Sequence, residues 1–279
     1  MRDHPFRLVN VFATEATLSG NPLCVFEDGR GLSDADMLAL AIQFNLSETT
    51  FVLPSDEADA RVRIFTPNGE MPFAGHPTLG TAFVVAAGRS AALRLEMRAG
   101  IIPVAIVGDR LTLTANAPRW REPEAGRDVL AEMLGLAVDD LGASPLWVDT
   151  GNEQLLIPLV STEALARARP VASLAARWKN PGGRTKIHCF VDAPNDIVPV
   201  RFFFEKQPGV LAEDPGTGSA CANLGGWWIA TGQRLPRAVI VHQGDHLGRA
   251  CRLDLTVGAD RSIRVGGRVV EVARGVFRM

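Results

Sequence analysis

Cysteine is scarce in this sequence, and its spacing forms no pattern. The 279 residues include four cysteines, Cys24, Cys189, Cys221 and Cys251, which lie far apart in the chain. No Cys-x-x-Cys pair occurs, and no set of cysteines and histidines has the spacing of a zinc site. We therefore expect no bound metal, and we expect the cysteines to be buried free thiols in a protein of a reducing compartment.

Long uncharged apolar runs and concentrated charge are also missing. The formal net charge is −2, and the arginines are scattered rather than clustered. Without a basic stripe, the sequence gives no sign of binding nucleic acid or an anionic membrane. No stretch of membrane-spanning length is free of charge, and the first residues, MRDHPFRLVNVFA, contain no apolar run long enough for a signal peptide. We expect a cytoplasmic protein.

The sequence does contain strand and helix patterns, and 47% of its residues are hydrophobic, enough for a sizeable core. Two segments, 76–88 and 219–232, read as helices that are apolar on every side. Such a helix has to be buried all round, which requires a sheet curled around it rather than one flat face. Segment 33–45 reads as an amphipathic helix, with Ser33 as its N-cap and Asp36 three residues on.

The second half of the chain repeats the order of elements of the first. Each half reads strand–strand–helix–strand–strand–helix–strands, and LGTAFVVAAG (79–88) is faintly similar to LGGWWIATG (224–232). The polar segment 117–128 contains two prolines and is the best linker candidate. We predict an α+β fold of two pseudo-symmetric domains, 1–122 and 123–279, each a barrel-like, mostly antiparallel sheet around a central apolar helix.

A glycine-rich turn stands in front of each apolar helix, PFAGHPTLGT (72–81) in the first half and EDPGTGSA (213–220) in the second. A helix start presents free backbone N–H groups, which suits an anion. If the two halves face each other, the starts at 75–77 and 218–220 would hold one small carboxylate substrate in a cleft. The alternative is that the glycines only shape the turn and that Ser219 caps the helix.

Nucleotide-binding loops fit the second turn poorly. The Walker pattern requires Lys-Ser or Lys-Thr after its last glycine, but Ser219 and Ala220 follow Gly218. Cys221 occupies the third glycine position of the dinucleotide fingerprint, and the segment KQPGVLAEDP (206–215) reads as a loop between strand and helix. The sequence therefore argues against a nucleotide cofactor.

Three side chains are candidates for acid–base chemistry. Glu48 stands between a helix end and an apolar strand, where a carboxyl group holds its proton more tightly and can take and return it; the alternative is a solvated turn residue. His76 lies at the first helix start, where the dipole favours a neutral ring, or it is a capping or core histidine. Asp214 precedes the second helix and would also complement its dipole. Glu70, before the first glycine loop, is given a structural role.

Histidine gives only a weak indication of a metal site. His188, His242 and His246 lie in the second half, and the last two are four residues apart. Gly244 and the strand-like surroundings argue against one helix face for that pair. We expect no metal at these residues.

Four motifs together resemble one family, PhzF, which comprises phenazine-biosynthesis-type isomerases and their relatives. The motifs are, in chain order, GNP (20–22), NLSETTF (45–51), FTPNGEMPFAGHPTLG (65–80) and EDPGTGSA (213–220). The resemblance spans most of the chain, and the pair FAGHPTLG and EDPGTGSA is specific. It implies the two-domain fold of diaminopimelate epimerase, in agreement with the duplication, and a homodimer that needs no cofactor.

The resemblance also implies roles for individual residues. The PhzF enzyme isomerises trans-2,3-dihydro-3-hydroxyanthranilate, and the glutamate of its SETTF motif, here Glu48, moves the proton. The histidine of GHP and the aspartate and serine of DPxTGS contact the substrate, here His76, Asp214 and Ser219. The implied catalytic residues are Glu48, His76 and Asp214. The implied substrate-binding residues are Gly75, His76, Asp214, Gly218, Ser219 and Ala220.

The sequence departs from the wider pattern of this fold. Racemases of the fold use two cysteines, but matching the motifs puts Ala74 and Pro215 at those positions. Cys221 has no partner, so a two-thiol mechanism lacks its side chains. Segment 177–189, RWKNPGGRTKIHC, matches nothing in the family, and both its role and the identity of the substrate stay open.

Three functions remain in competition. The first is a cofactor-independent isomerase of a small carboxylate-bearing substrate, similar to a cyclic hydroxy or amino acid, in which Glu48 moves the proton. The second is a non-catalytic protein that binds a small ligand on the same scaffold. The third is an amino-acid epimerase that uses carboxylates instead of thiols.

Overall fold

The computed structural model describes residues 2–89, 92–192 and 196–279. The chain divides into two compact units. Unit 1 comprises Met1–Thr114 and Gly266–Met279, and unit 2 comprises Ala115–Val265. The predicted domain limits, 1–122 and 123–279, stay a prediction, because compactness does not test where a repeated unit begins.

Unit 1 is a mostly antiparallel sheet with two helices. Its strands are β1 (Asp3–Val11), β2 (Asn21–Phe26), β3 (Thr49–Leu53), β4 (Ala60–Thr66), β5 (Gly69–Met71), β6 (Leu93–Met97), β7 (Gly100–Val107) and β8 (Arg110–Thr114). Its helices are α1 (Asp34–Phe44) and α2 (Gly75–Ala86). The pairs β2–β3 and β4–β6 are parallel, whereas β1–β2, β3–β4, β4–β5, β6–β7 and β7–β8 are antiparallel.

Helix α2 lies inside its own sheet. Nine of its twelve residues are buried, and it packs against β1, β2, β3, β4, β6, β7 and β8. Gly80 permits the close approach, because a Cβ atom there would lie 2.6 Å from Leu23 Cδ2. The expectation that the apolar helix of the first half is buried on every side is confirmed.

Helix α1 packs against β3 and β4 on the side opposite α2, and one face of α1 is buried. Ser33 Oγ accepts from the backbone N–H of Asp36, and the Asp36 carboxylate accepts from the backbone N–H of Ser33. This reciprocal capping confirms the predicted helix start. The helix ends at Asn45, whose φ of 50° is left-handed and turns the chain towards β3.

Unit 2 has the same mixture of elements with more helices. Its strands are β9 (Arg119–Arg121), β10 (Leu146–Asp149), β11 (Gln154–Pro158), β12 (Lys186–Phe190), β13 (Ile197–Gln207), β14 (Val210–Asp214), β15 (Arg237–Gln243), β16 (Cys251–Val257) and the first residues of β17 (Ile263–Arg278). Its helices are α3 (Arg127–Leu134), α4 (Thr162–Arg167), α5 (Ala172–Ala175) and α6 (Gly218–Ala230), with 3-10 turns at Val138–Asp140 and Asp245–Leu247. The pairs β11–β12 and β13–β15 are parallel and the others are antiparallel among the pairings described.

Helix α6 is the counterpart of α2. Ten of its thirteen residues are buried, and it packs against β9, β10, β11 and β16. Gly226 lets it approach the sheet, since a Cβ atom there would lie 2.8 Å from Val148 Cγ1. Helices α3 and α4 cover a second hydrophobic cluster around Trp147 on the opposite face of these strands. The α+β class and the mostly antiparallel sheets around apolar helices are therefore confirmed.

Three local predictions were wrong. In the expected linker 117–128, Arg119–Arg121 form β9, because Arg121 packs its guanidinium 4.7 Å from the Trp147 ring of β10 and pairs with Glu153. The expected loop 206–215 contains β14, which forms a hairpin with β13.

The third wrong prediction concerns the last strands of the chain. The segment SIRVGGRVVEVARGVF (262–277) reads in the sequence as a pair of strands. It forms one strand, β17, which pairs with β1 and so places Gly266–Met279 in unit 1. Gly266 serves close approach rather than a turn, since a Cβ atom there would lie 2.5 Å from Leu111 O.

All four cysteines are buried and free, as expected. Among the residues described, no helix combines the length and the apolar character that crossing a membrane requires.

Candidate functional site

The structure brings Glu48 and His76 together in unit 1. Glu48 directly precedes β3, and His76 is the second residue of α2, so the end of one loop meets the start of the central helix. The side chains are 16% and 6% exposed, and His76 Nδ1 lies 3.2 Å from Glu48 Oε2. Glu48 is therefore not a solvated turn residue, and the two residues form a largely buried acid–base pair.

The other ring nitrogen of His76 determines the tautomer. His76 Nε2 lies 3.3 Å from the carbonyl oxygen of Pro22. A carbonyl oxygen only accepts, so Nε2 carries the hydrogen in this contact. Burial lowers the pKa of His76 to about 4, against a small opposite effect of the Pro22 carbonyl, so the ring is neutral near neutral pH. In the neutral ring, Nδ1 then presents its lone pair to Glu48.

This arrangement can hold one proton between two heavy atoms. A lone pair on Nδ1 and a lone pair on Glu48 Oε2 repel at 3.2 Å unless one of the two atoms carries a proton. The contact is therefore favourable when a single proton lies between the two atoms. Sequence reasoning found both residues but assigned no role to the Pro22 carbonyl, although Pro22 lies in the quoted GNP motif.

The start of α2 leaves its backbone donors without a side-chain cap. The N-cap is Ala74, which makes no side-chain hydrogen bond to the helix, and Gly75 follows it.

Glu70, on β5, is paired with arginine. It forms a bidentate pair with Arg63 at 2.8 Å and lies 3.3 Å from Arg98. The hydrogen bond from Arg63 lowers the pKa of the Glu70 carboxyl group. This pairing agrees with the structural role expected for Glu70.

The predicted residues of unit 2 cluster at the start of α6. Asp214 ends β14, Thr217 is the N-cap, and Gly218, Ser219 and Ala220 form the first turn. The Thr217 hydroxyl donates to Asp214 Oδ2 instead of capping the helix. Ser219 is the second residue of the helix and not its cap, so the capping alternative for Ser219 is wrong.

Buried Gln243 sets the direction of these hydrogen bonds. The backbone N–H of Thr217 donates to Gln243 Oε1 over 3.0 Å, which leaves Gln243 Nε2 to donate to Thr217 Oγ1 over 2.9 Å and to Asp214 O over 2.8 Å. Thr217 therefore accepts from Gln243 and has its hydrogen available for Asp214. Gln243 is 1% exposed, and the sequence gives no signal for it, because a glutamine in a strand looks like an ordinary polar residue.

The remaining histidines and cysteines form no metal site in the described part of the chain. No group of three or more His, Cys, Asp or Glu side chains there could hold a metal ion. His188 is fully buried beside Phe190 and Phe202, and burial lowers its pKa to about 3. Cys221 lies inside α6 at 1% exposure, and burial raises the pKa of its thiol.

The family model described as "Phenazine biosynthesis-like protein" matches residues 9–275. This chain belongs to that family, PhzF. It is 38% identical to an uncharacterized isomerase of Pasteurella multocida, over 98% of this chain and 93% of the relative. It is 34% identical to trans-2,3-dihydro-3-hydroxyanthranilate isomerase of Pseudomonas aeruginosa, over 90% and 89% of the two chains. The expectation of an enzyme of the isomerase class is confirmed.

Solved structures give the same assignment. A PhzF-family phenazine biosynthesis protein of Bacillus anthracis superposes with a TM-score of 0.87 at 26% identity, over 100% of both chains. A hydroxyproline epimerase of Agrobacterium vitis superposes with a TM-score of 0.62 at 12% identity, over 99% and 92% of the two chains. The second likeness concerns the fold alone, and it confirms the epimerase-like architecture.

Proposed function

We propose that this isomerase moves a proton within a small, carboxylate-bearing cyclic hydroxy or amino acid, and that Glu48 carries the proton. The observation that supports the proposal is the 3.2 Å approach of His76 Nδ1 to Glu48 Oε2 in a largely buried place. The substrate class follows the name of the Pseudomonas aeruginosa relative, a trans-2,3-dihydro-3-hydroxyanthranilate isomerase.

The proposed reaction conserves all atoms and electrons. Glu48 takes a proton from a carbon next to an activating group, the double bonds of the substrate shift, and the same carboxyl group delivers a proton to another carbon. Neutral His76 holds the Glu48 carboxyl in position and shares its proton between these two steps. No cofactor enters the scheme, since no electron leaves the substrate.

The residues at the start of α6 are proposed to bind polar groups of the substrate. Asp214 offers carboxylate oxygens for an amino or hydroxyl group. Ser219 and the backbone N–H groups of Gly218 and Ala220 offer donors for the carboxylate, and Gly75 offers its backbone in unit 1. A homodimer in the cytoplasm is part of the same proposal, and sedimentation of the purified protein tests the oligomeric state.

Solvent deuterium tests the proton transfer. The protein is incubated in heavy water with trans-2,3-dihydro-3-hydroxyanthranilate, and the product is examined by NMR and mass spectrometry. We expect turnover with deuterium at a new C–H position, and we expect both to be lost in Glu48→Gln. A ligand that binds but acquires no label and no rearranged bond would instead support the non-catalytic binding protein. Label with inversion of one centre and no shift of a double bond would support the epimerase.

The Glu70→Gln variant is the matched control, because Glu70 is also a glutamate that precedes α2 in the chain but is paired with arginine. Turnover by Glu48→Gln at the wild-type rate would contradict the assignment of the proton to Glu48.

A further inference from the structure

A chain of hydrogen bonds in unit 2 runs from backbone groups to the Ser219 hydroxyl. The backbone N–H of Thr150 donates to Asn223 Oδ1 over 2.9 Å, and Asn223 Nδ2 donates to the carbonyl oxygen of Asn152 over 2.9 Å. A backbone N–H can only donate and a carbonyl oxygen can only accept. These two contacts therefore establish which end of the Asn223 amide is oxygen and which is nitrogen.

The orientation of Asn223 determines that of Gln154. Asn223 Nδ2 also donates to Gln154 Oε1 over 3.0 Å, so the Gln154 nitrogen is the atom that faces Ser219. Gln154 Nε2 donates to Ser219 Oγ over 2.9 Å. Since both amide side chains are fully buried, neither can exchange these partners for water.

The consequence concerns the hydrogen of Ser219. Its oxygen already accepts from Gln154, and a hydroxyl carries one hydrogen, which cannot point at the incoming N–H. Ser219 is partly exposed at the start of α6. Its hydroxyl hydrogen therefore points away from Gln154, towards the side of Ser219 that a ligand can reach. Ser219 thus presents a donor to a ligand.

A cation contacts the side chain of Asn152, the residue whose backbone carbonyl ends this chain of hydrogen bonds. Lys186 Nζ donates to Asn152 Oδ1 over 2.6 Å. Lys186 and Gln154 begin β12 and β11, one residue before the parallel pair Leu155–Ile187, so their side chains leave the same face of the sheet. Lys186 is partly buried and forms no ion pair with an acidic side chain of the described residues, and burial together with Arg184 lowers its pKa to about 8.

We propose that the Ser219 hydroxyl and the Lys186 ammonium together bind the carboxylate of the substrate, and that Gln154 is the positioning residue that directs the Ser219 hydrogen to it. A partly buried ammonium without a carboxylate partner is costly unless a ligand supplies the opposite charge. An ammonium group and a hydroxyl hydrogen that face the same ligand group favour an anion over a neutral group of the same shape. The inference rests on the proposed function for the identity of the ligand, and it gives Lys186, from the unmatched segment 177–189, a role in specificity.

Two probes of equal size test the inference by calorimetry on the full-length protein. Anthranilate carries a carboxylate, and anthranilamide carries a neutral amide in its place. We expect the wild type to bind anthranilate at least about tenfold more tightly. Ser219→Ala and Lys186→Gln should each weaken anthranilate binding about tenfold while changing anthranilamide binding less than about twofold. The exposed lysine variant Lys206→Gln is the matched control and should change neither affinity.

The positioning role of Gln154 has its own signature. Gln154→Met keeps the volume but removes the donor, and we expect it to weaken anthranilate binding about threefold to tenfold. In the Ser219→Ala background the same change should have no further effect, because its action passes through the Ser219 hydroxyl. Thermal unfolding of each variant reports whether it folds, and Lys186→Gln, on a partly exposed residue, tests the inference even if Gln154→Met does not fold.

Several outcomes would overturn the inference. The first is a wild-type protein that binds neither probe or does not prefer anthranilate. The second is an equal loss of affinity for both probes in Ser219→Ala and Lys186→Gln. The third is an additive loss of anthranilate affinity in the double variant of Gln154 and Ser219. Failure of the proposed function is distinguishable, because it would appear as unchanged turnover in Glu48→Gln whatever the result of the binding measurements.

Discussion

The starts of α2 and α6 are alike in backbone and different in chemistry. Both are apolar helices that begin after a glycine-containing turn, and at neither does the N-cap side chain bond to the helix. At α2 the second residue, His76, lies beside a carboxyl group, so the contact is suited to hold a proton. At α6 the second residue, Ser219, accepts a hydrogen bond from the buried amide of Gln154, and we propose that it binds a ligand. We therefore expect the two helix starts to have different tasks, which the neighbours of the second helical residue decide.

The largest effect should come from removing the proton carrier of α2. Glu48→Gln keeps the shape but cannot take a proton, and we expect kcat to fall by about 10²–10⁴. Binding of anthranilate should stay within about twofold of the wild type, because the proposed carboxylate site lies in unit 2. Steady-state kinetics and calorimetry measure the two quantities. A fall in affinity that matched the fall in kcat would contradict the division of tasks.

A smaller loss of rate is expected at His76. His76→Phe fills the buried place without a nitrogen to share the proton of Glu48, and we expect kcat to fall about 10–100-fold with KM nearly unchanged. The variant also removes the hydrogen bond from His76 to the Pro22 carbonyl, so thermal unfolding is measured alongside the kinetics. A stable variant with wild-type kcat would remove His76 from the catalytic pair.

Two buried histidines sharpen the comparison in terms of stability. His76 has Glu48 and Pro22 as partners, whereas neither ring nitrogen of His188 has a hydrogen-bond partner among the described residues. His188→Leu should therefore raise the free energy of unfolding at neutral pH by about 1–2 kcal/mol, because it removes a buried polar group that lacks a hydrogen bond. Chemical denaturation measures the change, and activity should stay within about twofold. A lower free energy of unfolding in His188→Leu would contradict the prediction, because it would show that the imidazole ring stabilises the fold.

The same two histidines predict the response to acid. Burial lowers the pKa of His76 to about 4 and that of His188 to about 3, from the ordinary value of 6.5. The unfolded chain therefore binds more protons than the folded chain below about pH 6.5, and the free energy of unfolding falls as the pH drops from there towards 4. We expect His188→Leu to make this decline shallower. Denaturation curves collected between these pH values give the slope, and an unchanged slope would contradict the prediction.

The smallest effect should come from the Thr217 hydroxyl at α6. Thr217→Val keeps the shape but removes the donor to Asp214, and we expect KM to rise about threefold to tenfold with kcat little changed. Thr231→Val is the control at the C-cap of the same helix, since that hydroxyl donates to the Trp227 carbonyl. Equal effects of the two variants would indicate a general loss of stability rather than a loss of substrate binding.

Much of the fold could be read from periodicity and turn chemistry. The apolar helices over 76–88 and 219–232 and the capping of α1 by Ser33 and Asp36 depend on local pattern, and the structure confirms them. Strands β9, β14 and the unbroken β17 were missed. They depend on partners elsewhere in the chain, such as Trp147 for β9 and β1 for β17, which local pattern does not contain.

The candidate site divides in the same way. Motifs alone named Glu48, His76, Asp214 and Ser219, because side chains of these types beside glycine turns are unusual enough to be recognised. Gln154, Gln243 and Lys186 had no such signal, since an amide or an ammonium in a strand looks like an ordinary polar residue.

By itself, the sequence determined that each half of this protein would bury an apolar helix behind a glycine turn, and which ionisable groups would stand at the two helix starts. Only the tertiary structure decided what those groups face. The tautomer of His76 depends on the carbonyl of Pro22, 54 residues away in the chain, and the hydrogen of Ser219 depends on Gln154, 65 residues away. Hydrogen bonds are directional and short, so their donors and acceptors are assigned only when the folded chain brings distant atoms within about 3 Å of each other.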